Sequence, residues 1–186
     1  MSLLPFCEWL AGTAWSVALH ESLYLYPLVE TTHVLALLVF VGTVIFVDLR
    51  LIGWSFREVA VSEVTGRLLP WTIGGFVIVA TTGALLFYAI PVRTYSSIFF
   101  RIKVIMLIAA GINTALVHRS MNRGGAAWDR EPTPPLRIRL AGAISLLSWT
   151  TVIVMGRMIA YNWFDCDLQP QSDFINWAAG CVLEGP

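Results

Sequence analysis

Four long apolar stretches constrain this chain more than any other feature of its sequence. A helix needs about 20 predominantly apolar residues to cross the hydrocarbon core of a bilayer. Pro91 closes the second stretch, and the prolines within residues 131–135 keep the segment before the fourth non-helical. The sequence therefore predicts an all-α integral membrane protein, a bundle of four transmembrane helices. The predicted spans are residues 31–52, 68–90, 98–117 and 140–163.

Composition agrees with a membrane environment. Only 13% of the residues are charged, whereas soluble domains carry roughly 25%. Twelve basic residues balance twelve acidic ones, and no basic run with interleaved aromatic residues occurs, so we expect no nucleic-acid partner. The expected partner is the lipid bilayer. The first residues carry no cationic segment, so a cleaved signal peptide is not expected.

The loops differ in their content of basic residues, and this difference predicts the orientation. Short cytoplasmic loops carry an excess of Lys and Arg. The loop between the first two spans holds Arg57 and Arg67, and the termini outside the spans hold neither Lys nor Arg. Both basic loops are therefore predicted to be cytoplasmic, and both termini extracytoplasmic. The loop between the third and fourth spans holds Arg119, Arg123, Arg130, Arg137 and Arg139.

The sequence divides into three segments. Residues 1–29 are predicted to be an interfacial segment that contains an amphipathic helix on the outer membrane surface, because apolar residues recur at helical spacing from Phe6 to Val17. Residues 30–164 form the four-helix membrane domain, and residues 165–186 an extracytoplasmic tail. Disulfides persist on that side of the membrane. Cys166 and Cys181 could pair there, although the third cysteine, Cys7, leaves the pairing open.

Ionisable residues inside the predicted spans gather toward one face. At about 1.5 Å per residue, His33 lies about 4 Å, Lys103 about 8–9 Å and Arg157 about 9 Å inside the outer helix ends. Arg101 precedes Lys103, and His20 lies on the N-terminal segment at the same face. A charged side chain within a span costs about a few kcal/mol unless it is paired or solvated. Three helices with such residues at similar depth therefore predict a ligand-binding or ion-pair site.

His118 is not part of this group, because it is predicted at the cytoplasmic end, about 25–30 Å away across the bilayer. One iron cannot reach both His33 and His118. If a bis-histidine site exists, His20 is the available partner for His33. A simpler interpretation is also open: Lys103 and Arg157 extend outward to the headgroups, and His33 bonds to Glu30 one turn earlier.

Two further features have mainly structural interpretations. Asp48 and Arg50, near the cytoplasmic end of the first span, are most simply an ion pair at the membrane edge. Met155 and Met158 on the fourth span are core residues rather than ligands.

Three short stretches resemble one known family. His33–Ala36, followed by Asp48–Leu51, resembles the first helix of the HemJ-type protoporphyrinogen oxidases and related CopD-like membrane proteins, which begins with His-x-x-Ala/Gly and ends in an Arg-Leu step. Arg101–Leu107 is similar to their third helix, and Thr82–Leu86 to a Thr-Gly-Leu-Leu element in their second. The resemblance implies haem b, with His33 as axial ligand and Lys103 as its catalytic companion. An uncharacterised bacterial membrane family shares the same layout.

These observations favour a multi-pass protein of the bacterial inner membrane that binds haem b near the extracytoplasmic face and takes part in membrane electron transfer, as a carrier subunit or an oxidoreductase. His20 or Lys103 would be the sixth ligand. Arg101 and Arg157 would pair with propionates or with a quinone carbonyl. One alternative is a non-catalytic anchor for a membrane or periplasmic redox partner. Another is a small transporter, which the absence of mid-span acidic residues disfavours.

Overall fold

A computed structural model describes residues 3–122, 128–161, 163–164, 166 and 168–181. Within these ranges the chain is helical and contains no strand. The helices are α1 (Leu4–Ala11), α2 (Ala14–Glu21), α3 (Leu25–Ile52), α4 (Val61–Ala89), α5 (Pro91–Tyr95), α6 (Ile98–Asn122), α7 (Leu136–Tyr161) and α8 (Asp173–Ala179).

Four of these helices, α3, α4, α6 and α7, are long and apolar enough to cross a membrane. The prediction of four spans is confirmed. Two of them begin well before the predicted stretches, α3 at Leu25 and α4 at Val61. Hydropathy locates only the part of a helix that lies in hydrocarbon, whereas backbone hydrogen bonding continues the helix into the polar region beyond it.

The long helices pack in the order α4, α3, α7, α6, so that α3 contacts both α4 and α7. Gly75 on α4 allows the closest approach to α3, because a Cβ there would lie 3.0 Å from both the backbone N and the Cβ of Phe40. The Phe40 ring meets Trp149 of α7 edge-on, with 4.7 Å between centroids. We call the buried cluster at mid-bundle the apolar layer; its members are Phe40, Val41, Ala110, Trp149 and Val152.

The two ends of the bundle differ. We call the end with the α3–α4 and α6–α7 loops the basic end, and the other end the capped end, because the short helices pack there. Ser16 on α2 donates a 2.8 Å hydrogen bond to the Tyr88 carbonyl of α4. Arg101 on α6 donates a 2.9 Å bond to the carbonyl of Ala179 on α8. The short helices are thus bonded to the spans and do not stand apart from them.

The N-terminal segment forms two short helices, not the single helix predicted for it. The break lies at Gly12 and Thr13. The Thr13 side chain accepts a hydrogen bond from the Ser16 backbone N–H and so caps the start of α2. Its hydroxyl also lies 2.8 Å from the Tyr88 hydroxyl. The capping residue therefore starts a new helix where Gly12 interrupts the apolar segment.

The disulfide that the sequence suggested is present. Cys166 is bonded to Cys181, with 5.4 Å between their Cα atoms, and Cys7 is a buried free thiol. The bond joins the segment after α7 to Cys181, two positions after the end of α8. Parts of the predicted tail, namely residues 165, 167 and 182–186, lie outside the described residues, as does Arg123 of the basic loop.

Candidate functional site

His33 lies on α3, near the capped end, and is partly buried. Its Nδ1 is 2.8 Å from the Oγ1 of Thr82, a buried residue of α4. The same Thr82 hydroxyl donates a 2.6 Å hydrogen bond to the Ile78 carbonyl. A hydroxyl has one proton, and that proton is used on the carbonyl. Nδ1 is therefore the protonated nitrogen of His33, and Nε2 carries the free lone pair.

Gly83 contributes the space for this ring. A Cβ at Gly83 would lie 3.3 Å from His33 Cε1, so a larger side chain would push the ring away from α4. The hydrogen bond to Thr82 takes the place of the one between His33 and Glu30 that the sequence allowed. Glu30 is exposed, and the hydrogen bond formed by His33 crosses to α4 instead of running along its own helix.

Lys103 lies on α6 and is partly buried. Its Nζ is 3.4 Å from where a Cβ on Gly156 of α7 would be, so the side chain runs along the bundle toward α7. The Lys103 ammonium lies close enough to the His33 imidazole for the two groups to interact electrostatically. The hydrogen bonds and ion pairs of the described residues include none made by Lys103 Nζ. We call His33, Thr82, Gly83, Lys103 and Gly156 the His33–Lys103 site, to which all four long helices contribute.

The two predicted arginines have contacts of their own. Besides its bond to Ala179, the Arg101 guanidinium lies 5.4 Å from the ring centre of Tyr95. Arg157 is exposed, with its guanidinium 5.1 Å from the ring centre of Tyr161, one turn later on α7. These contacts hold Arg101 against the cap and Arg157 along the outside of its helix. Their predicted roles in binding a cofactor stay predictions.

His20 is exposed on α2, and its ring meets Tyr26 edge-on with 6.1 Å between centroids. It lines a groove of about 330 Å³ with Glu21 and Arg93, between α2 and the α4–α5 turn. His33 does not line that groove. The sequence placed both histidines at one end of the bundle, and the structure agrees, but it puts them in different surroundings.

The predicted ion pair of Asp48 and Arg50 is wrong. The described ion pairs do not include one between them; the pair that forms at this end is Arg67 with Glu63. Residues at positions i and i+2 of a helix do not face each other. Arg50 faces the loops and is fully buried, whereas the Asp48 carboxyl has the Ser145 hydroxyl of α7 as its hydrogen-bonding neighbour.

Arg50 instead binds three backbone carbonyls. Nε donates to Val59 at 2.7 Å, and Nη2 donates to Glu131 at 3.0 Å and to Asp129 at 3.3 Å. The Asp129 carboxylate in turn accepts bonds of 2.7 and 2.6 Å from the backbone N–H and the hydroxyl of Ser62. We call these five residues the basic-end clasp. The sequence gives no sign of the clasp, because the acceptors of Arg50 are backbone atoms distant in the chain.

The pKa of the Asp129 carboxyl reflects this setting. Desolvation by partial burial acts to raise it, but the two Ser62 hydrogen bonds and the positive charges of Arg50 and Arg130 outweigh that effect. The net pKa is below the ordinary value for an aspartate. Asp129 is therefore ionised at neutral pH.

The fold is a helical bundle whose four long helices fit a multi-pass membrane protein, and a histidine and a lysine lie inside one half of it. The sequence pattern of one family matches residues 20–162, which include all four long helices. The chain belongs to that family, the family of unknown function DUF6644. The prediction of an uncharacterised family is thus confirmed, while nothing in the match links the chain to HemJ or CopD proteins.

Two other comparisons gave no match. No curated protein sequence matches this chain, and no solved structure does.

Proposed function

We propose that this protein is a bacterial inner-membrane haem-b protein that takes part in membrane electron transfer, with His33 as an axial ligand. The observation that carries the proposal is the hydrogen bond from His33 Nδ1 to Thr82. A metal-ligating histidine usually donates its other ring N–H to an acceptor, which sets the tautomer and orients the ring. Thr82 supplies that acceptor and leaves Nε2 with its lone pair.

The residues present suit haem better than a bare metal ion. Among the described residues, no group of three or more His, Cys, Asp or Glu side chains could hold a metal ion. Haem needs only axial ligands from the protein, because its macrocycle surrounds the iron, and a histidine is a common axial ligand. Haem would supply the one-electron chemistry, and His33 and Thr82 would set its position and potential.

Lys103 supplies a positive charge within the same half of the bundle. A partly buried ammonium with no acceptor among the described residues is costly, and a carboxylate of a bound ligand would remove that cost. We therefore assign Lys103 to pairing with a ligand anion such as a haem propionate. Gly83 and Gly156 keep the surroundings of the two side chains free of bulk. The arginine-rich loops support placing the basic end in the cytoplasm.

The decisive experiment is an absorbance spectrum of the full chain purified in detergent after expression in haem-replete bacteria. We expect a Soret band in the wild-type protein and its loss in His33→Ala. His118→Ala is the matched control, since it removes the histidine at the basic end of the bundle and should keep the band. His20→Ala tests the second ligand, because loss of a six-coordinate spectrum there would make His20 the partner of His33.

A wild-type protein without a Soret band would overturn this proposal. The function then favoured is that of a non-catalytic anchor for an extracytoplasmic redox protein. The capped end supports that alternative, because α1, α2 and α8 cover it with exposed aromatic side chains such as Trp9, Trp15 and Trp177. Copurification of such a partner from the native host, without a chromophore, would establish the anchor.

A further inference from the structure

Asp48 is a buried acid that the proposed function does not use. It lies four residues before the end of α3 and is 3% exposed. Its Oδ2 has no hydrogen-bond partner among the residues that the structure describes. Gly142 of α7 packs against this part of α3, because a Cβ at Gly142 would lie 3.0 Å from the Asp48 backbone carbonyl. The two helices therefore touch at the Asp48 backbone.

No cation among the described residues pairs with this acid. Among the described residues, none of the Lys, Arg or His nitrogens lies within ion-pair distance of Asp48. Its hydrogen-bonding neighbour, the Ser145 hydroxyl, is neutral. The ionisable groups of the elements around it are exposed or bonded elsewhere: Arg50 on α3, Glu63 and Arg67 on α4, His118 and Arg119 on α6, Arg137 and Arg139 on α7, and Asp129 and Arg130 in the loop.

The protonation state follows from these surroundings. An ionised carboxylate in an apolar site costs far more free energy than the neutral acid when no positive charge is near. An oxygen without a hydrogen bond is likewise less costly on the neutral acid than on the anion. We infer that Asp48 holds a proton at neutral pH and forms a proton-binding site in the basic half of the bundle.

The site is separate from His33. The two residues are 15 positions apart on α3, which places them about 22 Å apart along the helix axis. The apolar layer lies between them. Asp48, in contrast, is only about 6 Å from the end of α3 at the basic end. The inference does not depend on haem, and a protein without haem would still hold this proton.

The test uses the full chain in detergent and dicyclohexylcarbodiimide, an apolar reagent that reacts with protonated carboxyl groups. Peptide mass spectrometry should find the adduct on Asp48 at neutral pH, and its yield should fall as the pH is raised. Asp129 is the matched control, because it lies at the same end but is ionised and bonded to Ser62, and it should stay unlabelled. Asp48→Asn should abolish the label and, as a neutral isostere of the acid, leave the thermal midpoint nearly unchanged.

A second measurement covers the case in which the reagent cannot enter. The infrared band of a protonated carboxyl should be present in the wild-type protein and absent from Asp48→Asn. If that band is missing and Asp48→Asn lowers the thermal midpoint strongly, Asp48 is an ion held by a cation and the inference is wrong. Protection of Asp48 from the reagent by added Na⁺ at constant pH would also overturn it, in favour of a cation site.

Discussion

The two halves of this bundle differ in how their charged side chains are hydrogen-bonded. In the basic-end clasp, Nε and Nη2 of the buried Arg50 donate to carbonyls of the protein itself, while Nη1 has no partner among the described residues. These bonds tie two loops to the end of α3. In the His33–Lys103 site, the ring is held against Thr82 and Val79 of α4, and the ammonium has no acceptor among the described residues. A charged group that donates hydrogen bonds to backbone carbonyls stabilises the fold. A charged group without such a partner can instead bind a ligand of opposite charge.

The largest effect that would test this comparison is expected at Arg50. Arg50→Ala removes three charge-assisted hydrogen bonds, each worth about 1.5–3 kcal/mol, so we expect a loss of at least about 3 kcal/mol in the free energy of unfolding. Arg50→Lys should restore little of it, because an ammonium lacks the planar fork that reaches several carbonyls. Thermal unfolding followed by tryptophan fluorescence measures both.

Arg139→Ala is the control for Arg50, since Arg139 is exposed and makes a 3.2 Å bond to a single carbonyl, that of Ile52. We expect it to cost less than about 1 kcal/mol. Equal losses in the two alanine variants would mean that the clasp does not hold the basic end together.

The next effect concerns the apolar layer between the two halves. Gly75→Ala places a Cβ 3.0 Å from the backbone N of Phe40, and overpacking of this kind costs about 1–3 kcal/mol. The neighbouring Gly74 has nothing within 4 Å of such a Cβ, so Gly74→Ala should leave the thermal midpoint unchanged or slightly raised. A Gly75→Ala protein as stable as Gly74→Ala would show that α3 and α4 separate easily.

Substitution of Thr82 should lower stability less than the variants above but should weaken haem binding strongly. Thr82→Val keeps the shape but removes the acceptor of His33 Nδ1, so we expect a loss of about 1 kcal/mol in unfolding free energy. Haem affinity should fall about 10–100-fold. Titration of the apoprotein with haem, followed at the Soret band, measures the affinity.

Thr72→Val is the matched variant for Thr82→Val, because the Thr72 hydroxyl also bonds α4 to α3, at 2.9 Å to Thr43. It should cost a similar amount of stability without altering haem affinity. The special role of Thr82 is excluded if both variants weaken haem binding equally.

The smallest effect is a pH dependence at the basic end. The pKa of Asp129 is lower in the folded chain than its ordinary value, so its contribution to stability is present above the ordinary value and is lost as the pH falls through the folded one. Ser62→Ala should flatten the decrease in thermal midpoint between about pH 5 and about pH 2. Identical pH profiles for the variant and the wild type would contradict this assignment.

The candidate site could be predicted from the sequence only in part. Helix geometry placed His33 and Lys103 at similar depth, because depth depends only on position along each helix. It could not say which way the side chains turn. Arg157 has the depth expected of a site residue, yet it lies on the exposed side of α7 beside Tyr161. The hydrogen bond of His33 to Thr82 joins residues 49 positions apart, and no local sequence pattern predicts it.

The number of spans and their approximate bounds were determined by the sequence alone, since the cost of placing polar groups in hydrocarbon acts on each segment separately. The tertiary structure decided the rest: the tautomer of His33, the isolation of Asp48 from Arg50, and the three carbonyls around Arg50. These depend on which helix faces which, and a rotation of one helix by a single residue, about 100°, would exchange the buried and exposed groups.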